Sequence, residues 1–306
     1  MLQNLKPLLV ILFTIAIMHW GLKRWFSPGL LPAATFNAIS AGWALVSLAL
    51  FLSPNFWVFL LVSAVATWRL GSSIHPAPLF CGLLYAAPYL DKVIPGIGGI
   101  NALFGLSYPR VLAVTALVLW WVRWREPGDD KNPGPRIFDF VVVILGIYRF
   151  LLQMRDDTIT NTLREYSYYL IDITLVYWIG RRWLANRTMG PTCIAAFCYG
   201  IMIVCAIASF EFLKRWLLYT TLDQSLDVPG SVGSYLARGD TGLLRTFATT
   251  GHSIPMGYLA MVGIILWISL SEGSALPLKV RAIGVVILMS GSIASLVQQA
   301  QEVAGE

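Results

Sequence analysis

PTCIAAFCYGIMIVCAIASFEF, residues 191–212, decides the fold. It runs without a charge until Glu211, and its length matches the ~20 residues that a helix needs to cross a hydrocarbon core. Similar apolar runs, bounded by charges, prolines and tryptophans, recur on both sides of it. Together they predict about ten spans, near 5–22, 31–52, 54–69, 76–90, 109–123, 137–153, 166–181, 191–212, 254–271 and 281–298. Several are short, and a re-entrant element is one reading of the stretch 76–108. Composition agrees. With 306 residues, 57% of them hydrophobic and 12% charged, and a mean hydropathy of +0.69, the chain has too much apolar surface for one soluble core. The expectation is an all-α, polytopic membrane bundle, a single transmembrane domain over 1–306. Its longest polar interval, 213–252, is too short to fold alone.

Charge and tryptophans give this bundle an orientation. Trp20, Trp25, Trp57, Trp68, Trp120, Trp121, Trp124, Trp183 and Trp216 fall near predicted span ends, where an amphipathic ring prefers the headgroup layer. Arg123, Arg125, Lys131 and Arg136 form one basic cluster and Arg181, Arg182 and Arg187 another, an even number of spans apart. Placing both in the cytoplasm leaves the loops near 91–108, 153–165 and 213–252 outside. The net charge of +6 then belongs to loops and lipid headgroups and not to nucleic acid. Cys81, Cys193, Cys198 and Cys205 lie within apolar runs without metal or disulfide spacing, and read as small buried residues. Leu8–Met18 has the length of a signal-peptide core, but Lys23 and Arg24 follow it and no cleavage site does, so a retained span is expected.

The residues able to do chemistry gather in the 213–252 loop, which carries Lys214, Arg215, Tyr219, Asp223, Asp227, Tyr235, Arg238, Asp240, Arg245 and His252. Its last part, LLRTFATTGHSIPMGY (243–258), sets an arginine and a histidine at the mouth of an apolar span. Guanidinium groups there suit a diphosphate, because their planar donors pair two phosphate oxygens at once and stay charged. If a sugar is attached, holding the departing charge stabilises the transition state. Pairing with Asp223, Asp227 and Asp240, or facing ordinary phospholipid, is the alternative for each cation. His252 has the pKa range of a general base, and equally sits where a helix starting near Pro255 would be capped, with Ser253 as the cap. A second external stretch, DTITNTLREYSYYL (157–170), holds Arg164 and Glu165. Asp172 lies deeper, where an ionised carboxylate needs a partner; Arg149, in the preceding span, is the expected one. His19 and His75 read as structural, and three dispersed histidines argue against a metal site.

IPGIGGINALFGLSYPRVLAV, TITNTLREYSYYLIDITLVYWIGRR, FEFLKRWLLY and YLARGDTGLLRTFATTGHSIPMGY, in that order, resemble the O-antigen ligase and polysaccharide polymerase superfamily over residues 75–292. The resemblance implies a multi-spanning protein of the bacterial inner membrane. Such a protein moves a glycan from undecaprenyl diphosphate to a glycan or lipid acceptor on the periplasmic side, with neither metal nor nucleotide cofactor. By position it implies that Arg245, ahead of Gly251 and Pro255, binds the diphosphate, with Arg238 in YLARGD assisting. His252, Lys214, Arg215 and Arg164 are supporting candidates. The family's catalytic histidine belongs to a later periplasmic loop, whereas this chain runs to SGSIASLVQQAQEVAGE; a C-terminally truncated product is therefore expected, and His252 does not inherit the histidine's role. A flippase or transporter of lipid-linked glycans, or an inactive membrane remnant, stays open beside the glycosyltransferase reading.

Overall fold

The computed structural model of the chain describes residues 2–26, 29–95, 102–124, 137–184, 189–228, 246–274 and 276–296. The molecule is built of helices. In chain order they are α1 (Leu2–Phe26), α2 (Ala33–Leu52), α3 (Phe56–Gly71) and the short α4 (Pro76–Leu83), then α5 (Tyr108–Leu119), which continues as a π turn through Trp124. After α6 (Ile137–Asp156), α7 (Ile159–Tyr169) passes through a second π turn, Leu170–Leu175, into α8 (Val176–Leu184). The rest are α9 (Met189–Lys214), α10 (Leu222–Ser225), α11 (Ser253–Glu272) and α12 (Leu278–Leu296). Between α4 and α5 an antiparallel hairpin pairs β1 (Asp91–Pro95) with β2 (Ala102–Ser107), Asp91 opposite Ser107.

Six helices, α1, α2, α6, α9, α11 and α12, are long and apolar enough to cross a membrane, and α3 is a shorter apolar helix. The expected span at 76–90 is instead an 8-residue helix followed by turns and the hairpin. The expected spans at 109–123 and 166–181 are helical but interrupted by the π turns. Local signals set the starts. Asn55 accepts a hydrogen bond from the Val58 amide at the head of α3, the Thr158 hydroxyl accepts from Asn161 at the head of α7, and His75 Nδ1 accepts from Ala77 with Pro76 opening α4.

α9 is the axis of the fold, packing against α1, α2, α4, α8, α11 and α12. Its crossing with α4 is close because two glycines meet there. A Cβ on Gly200 would stand 2.6 Å from the Gly82 carbonyl oxygen, and small residues of this kind let apolar helices approach without a hydrophobic driving force. α4 stops inside the bundle, where the carbonyls of a helix end have no water to turn to. Trp43 Nε1 donates to the Gly82 carbonyl and Tyr108 Oη to the Leu83 carbonyl, both at 2.9 Å. Trp124 does the same for Gly71 at the end of α3, and Trp267 for Arg281. Some of the tryptophans near span ends are thus packed against the protein. Trp120 and Trp183 are buried, while Trp20 and Trp121 are exposed. His19 is a structural histidine, joined through Ser40 to Tyr199 of α9 at 2.8 and 2.7 Å.

Candidate functional site

The polar centre of the molecule is Arg110. Tyr108 and Pro109 open α5, so Arg110 falls in its first turn directly after the hairpin, at the end of the bundle where β1, β2 and α7 meet. Its side chain is 5% exposed, and nearly every donor is used. Nε reaches Asp172 Oδ1 at 2.9 Å, Nη2 reaches Asp172 Oδ2 at 2.8 Å, and Nη1 donates to the Gly105 carbonyl at 2.6 Å. The guanidinium lies 4.0 Å from the centre of the Tyr168 ring, and Asp91 Oδ1 stands 3.7 Å from Nη1. A desolvated guanidinium is stable only when charge and hydrogen bonds are both supplied, and this fork-to-fork pair supplies both.

The partner of Asp172 is thus Arg110, 62 residues earlier, and not Arg149 as the order of spans suggests. Sequence proximity misleads here because α5 packs directly on the π turn that carries Asp172, whereas Arg149 of α6 faces Glu165 of α7 at 3.8 Å. Arg110 and Asp91 had no motif to mark them. The one signal was an arginine in the first turn of an apolar helix together with a carboxylate set deep in another. Gly105 makes the assembly possible, since a Cβ there would meet Asp91 Oδ1 at 2.8 Å and Tyr168 Oη at 2.9 Å. Its amide donates to Tyr168 Oη at 2.6 Å, fastening the hairpin to α7. Burial pushes the Asp91 carboxyl above the usual carboxylate range, against the pull of Arg110.

Two cavities share Tyr89, Arg110 and Asp172 as a common wall. The first, of about 420 Å³, is mostly apolar, running past Leu84, Ala113, Val176 and Leu259 to Thr249, Thr250 and Pro255. The second, of about 380 Å³, is polar, with Asp91, Arg149, Glu165, Tyr168 and Tyr169. Volumes of this size are those of small-ligand sites.

The segment that closes the apolar cavity is anchored by Glu211. This carboxylate is fully buried at the end of α9, and its two oxygens accept from the amides of Leu218 and Ala248, each at 3.0 Å. One side chain therefore fixes both ends of the 213–252 interval. Ala248 holds φ 43°, a left-handed conformation uncommon for a residue with a Cβ, and the Thr246 hydroxyl donates to the Ala294 carbonyl of α12. Lys92 of β1 meets Asp227 at 2.8 Å, so the hairpin, the polar cluster and the long interval lie at one end of the bundle. Described parts of the three loops read as external meet there: Asp91 and Lys92, Glu165, and Asp227.

Of the site residues expected from sequence, Arg245 and Arg238 lie outside the described residues. Lys214 and Arg215 are exposed at the end of α9, Arg215 with φ 51° where the chain turns back. His252 is exposed at the cap position of α11, which begins at Ser253; its backbone carbonyl accepts from Met256, and its ring makes no capping bond. Arg164 bonds Asn161 within α7. Among the described residues no three His, Cys, Asp or Glu side chains gather as they would around a metal ion, and the four cysteines are free thiols. Comparison with protein-family models, with curated proteins and with solved structures gives no match for this chain.

Proposed function

We propose that the chain is a membrane glycosyltransferase of the O-antigen ligase or polysaccharide polymerase kind. It takes a glycan from a polyprenyl-diphosphate carrier and passes it to a glycan or lipid acceptor at the periplasmic face of a bacterial inner membrane. One observation carries this reading. An apolar cavity and a polar cavity meet at Arg110, and the apolar one is walled by Thr249, Thr250 and Pro255, a few residues beyond Arg245. An amphipathic donor needs such a junction, with its polyprenyl chain against apolar side chains, its glycan in the polar cleft and its diphosphate between.

In this reading Arg245, with Arg238, holds the diphosphate. The acceptor hydroxyl oxygen bonds to the anomeric carbon and releases its proton to solvent. The bond from that carbon to the diphosphate oxygen breaks, and its electron pair leaves with the diphosphate, whose growing charge the guanidiniums stabilise. Glu211 serves by holding the backbone that follows Arg245.

The test is transfer of a labelled lipid-linked glycan by the purified protein in vesicles, with Arg245→Ala beside it. We expect transfer to fall at least a hundredfold in the variant, the range for loss of one electrostatic donor, with thermal unfolding unchanged. Equal transfer by both proteins would remove the role of Arg245. Movement of the donor across the vesicle without transfer would make the protein a transporter.

A further inference from the structure

We infer that the polar cleft beside Arg110 is a subsite for an uncharged, hydroxyl-rich sugar ring. The cleft does not have the chemistry of an anion site. It is lined by three carboxylates, Asp91, Glu165 and Asp172, against two guanidiniums. Arg110 is committed to Asp172, Gly105 and the face of Tyr168, and Arg149 is beside Glu165. A uronic acid or a phosphate entering here would meet net negative charge, with no free buried cation among the described lining residues to offset it.

The same lining suits hydroxyl groups. Carboxylates accept only, and the side chains of Asp91, Glu165 and Asp172 stay 32%, 29% and 39% exposed, so none of the three is closed off from the cleft. Asp91 Oδ1 has no solvent contact and faces Arg110 Nη1 at 3.7 Å, so any bond from a sugar hydroxyl to this carboxylate falls to Oδ2. Tyr89, 48% exposed on the wall shared with the apolar cavity, supplies an aromatic ring for stacking by the C–H side of a pyranose.

The subsite rests on the proposed function only for the sugar being lipid-linked. Free oligosaccharide tests it separately. The probes are neutral hexose, deoxyhexose and N-acetylhexosamine oligosaccharides and an oligogalacturonate, offered to the full chain in nanodiscs and read by saturation-transfer NMR. At least one neutral probe should bind, about tenfold more weakly to Tyr89→Ala and to Asp91→Asn; the oligogalacturonate should not bind. Tyr89→Phe, which keeps the ring, should bind as the parent does, and this separates stacking from loss of fold. Absence of binding by every neutral probe, equal binding of the uronate, or indifference to Tyr89→Ala would each overturn the subsite. Sugar binding as expected with no transfer from the lipid-linked donor would leave the subsite standing and defeat only the transferase reading.

Discussion

α9 and α6 are both long and apolar enough to cross a membrane, yet 72% of the apolar window of α9 is buried inside the molecule against 6% for α6. Hydropathy alone does not tell them apart; the small residues interspersed along α9 do. α9 carries Cys193, Ala195, Ala196, Cys198, Gly200 and Ala208 and is approached from several sides, whereas Phe138, Phe140, Ile144, Leu145 and Leu151 of α6 stand exposed. An apolar segment surrounded by lipid gains nothing from burying more apolar surface against protein, so close approach depends on small residues, and between those of α9 the larger Tyr199, Ile201 and Met202 are buried as well.

The contrast breaks most sharply at Gly200. Gly200→Leu drives a side chain into the backbone of α4 and is expected to abolish the folded protein in size-exclusion chromatography, while Leu151→Ala on α6 moves the unfolding temperature too little to resolve. Normal folding of Gly200→Leu would refute the close crossing. Next in size is Asp172→Ala. It strands the Arg110 guanidinium in a nearly closed site, and the cost for a broken buried pair is about 3–5 kcal/mol, to be read by thermal or denaturant unfolding. The partial exposure of Asp172 sets the expectation at the lower end. Arg149→Ala, if Arg110 is the true partner, should cost far less.

Glu211→Gln keeps one acceptor and turns a donor towards an amide, a loss of about 1–3 kcal/mol. Hydrogen exchange should rise at Leu218 and Ala248 while the amides of α9 stay protected; a uniform rise would mean that Glu211 supports the helix and not the loop. The smallest effect concerns pH. Because burial raises the Asp91 carboxyl, the folded state holds that proton more tightly than the unfolded one. Stability contributed through Asp91 is therefore greatest at acid pH and is lost as pH rises from the ordinary value of 3.8 through the raised one. Asp91→Asn should flatten that part of the unfolding curve, and an unchanged slope would rule the assignment out.

Much of the helical architecture was readable from apolar runs and their boundaries, because a segment that must hide its backbone in lipid announces itself by length. The exceptions share a cause. The segment 76–90 is apolar enough to span, but α4 ends at Leu83 because Trp43 and Tyr108, distant in sequence, receive its carbonyls. No local pattern foretells such donors. The hairpin was hidden for a related reason, since IPGIGGIN reads as a turn whether or not strands flank it. At the site, the need of Asp172 for a cation was legible and the identity of that cation was not, because pairing follows the packing of α5 on the π turn. Glu211 was visible as the acid closing a span; its hold on Ala248 depends on a contact across 37 residues.

The π turn at Leu170–Leu175 makes the helix that contains it a crank and not a rod. Each residue of an α-helix advances the azimuth by about 100°. Deleting one residue from the widened turn would restore regular winding and swing Glu165 and Tyr168 about a quarter of a revolution relative to the half of the helix below. Aromatic and acidic groups that now face one hollow would point in different directions, with no side chain chemically altered. Aim, set by one surplus peptide unit, is thus a heritable property of this helix separate from its composition.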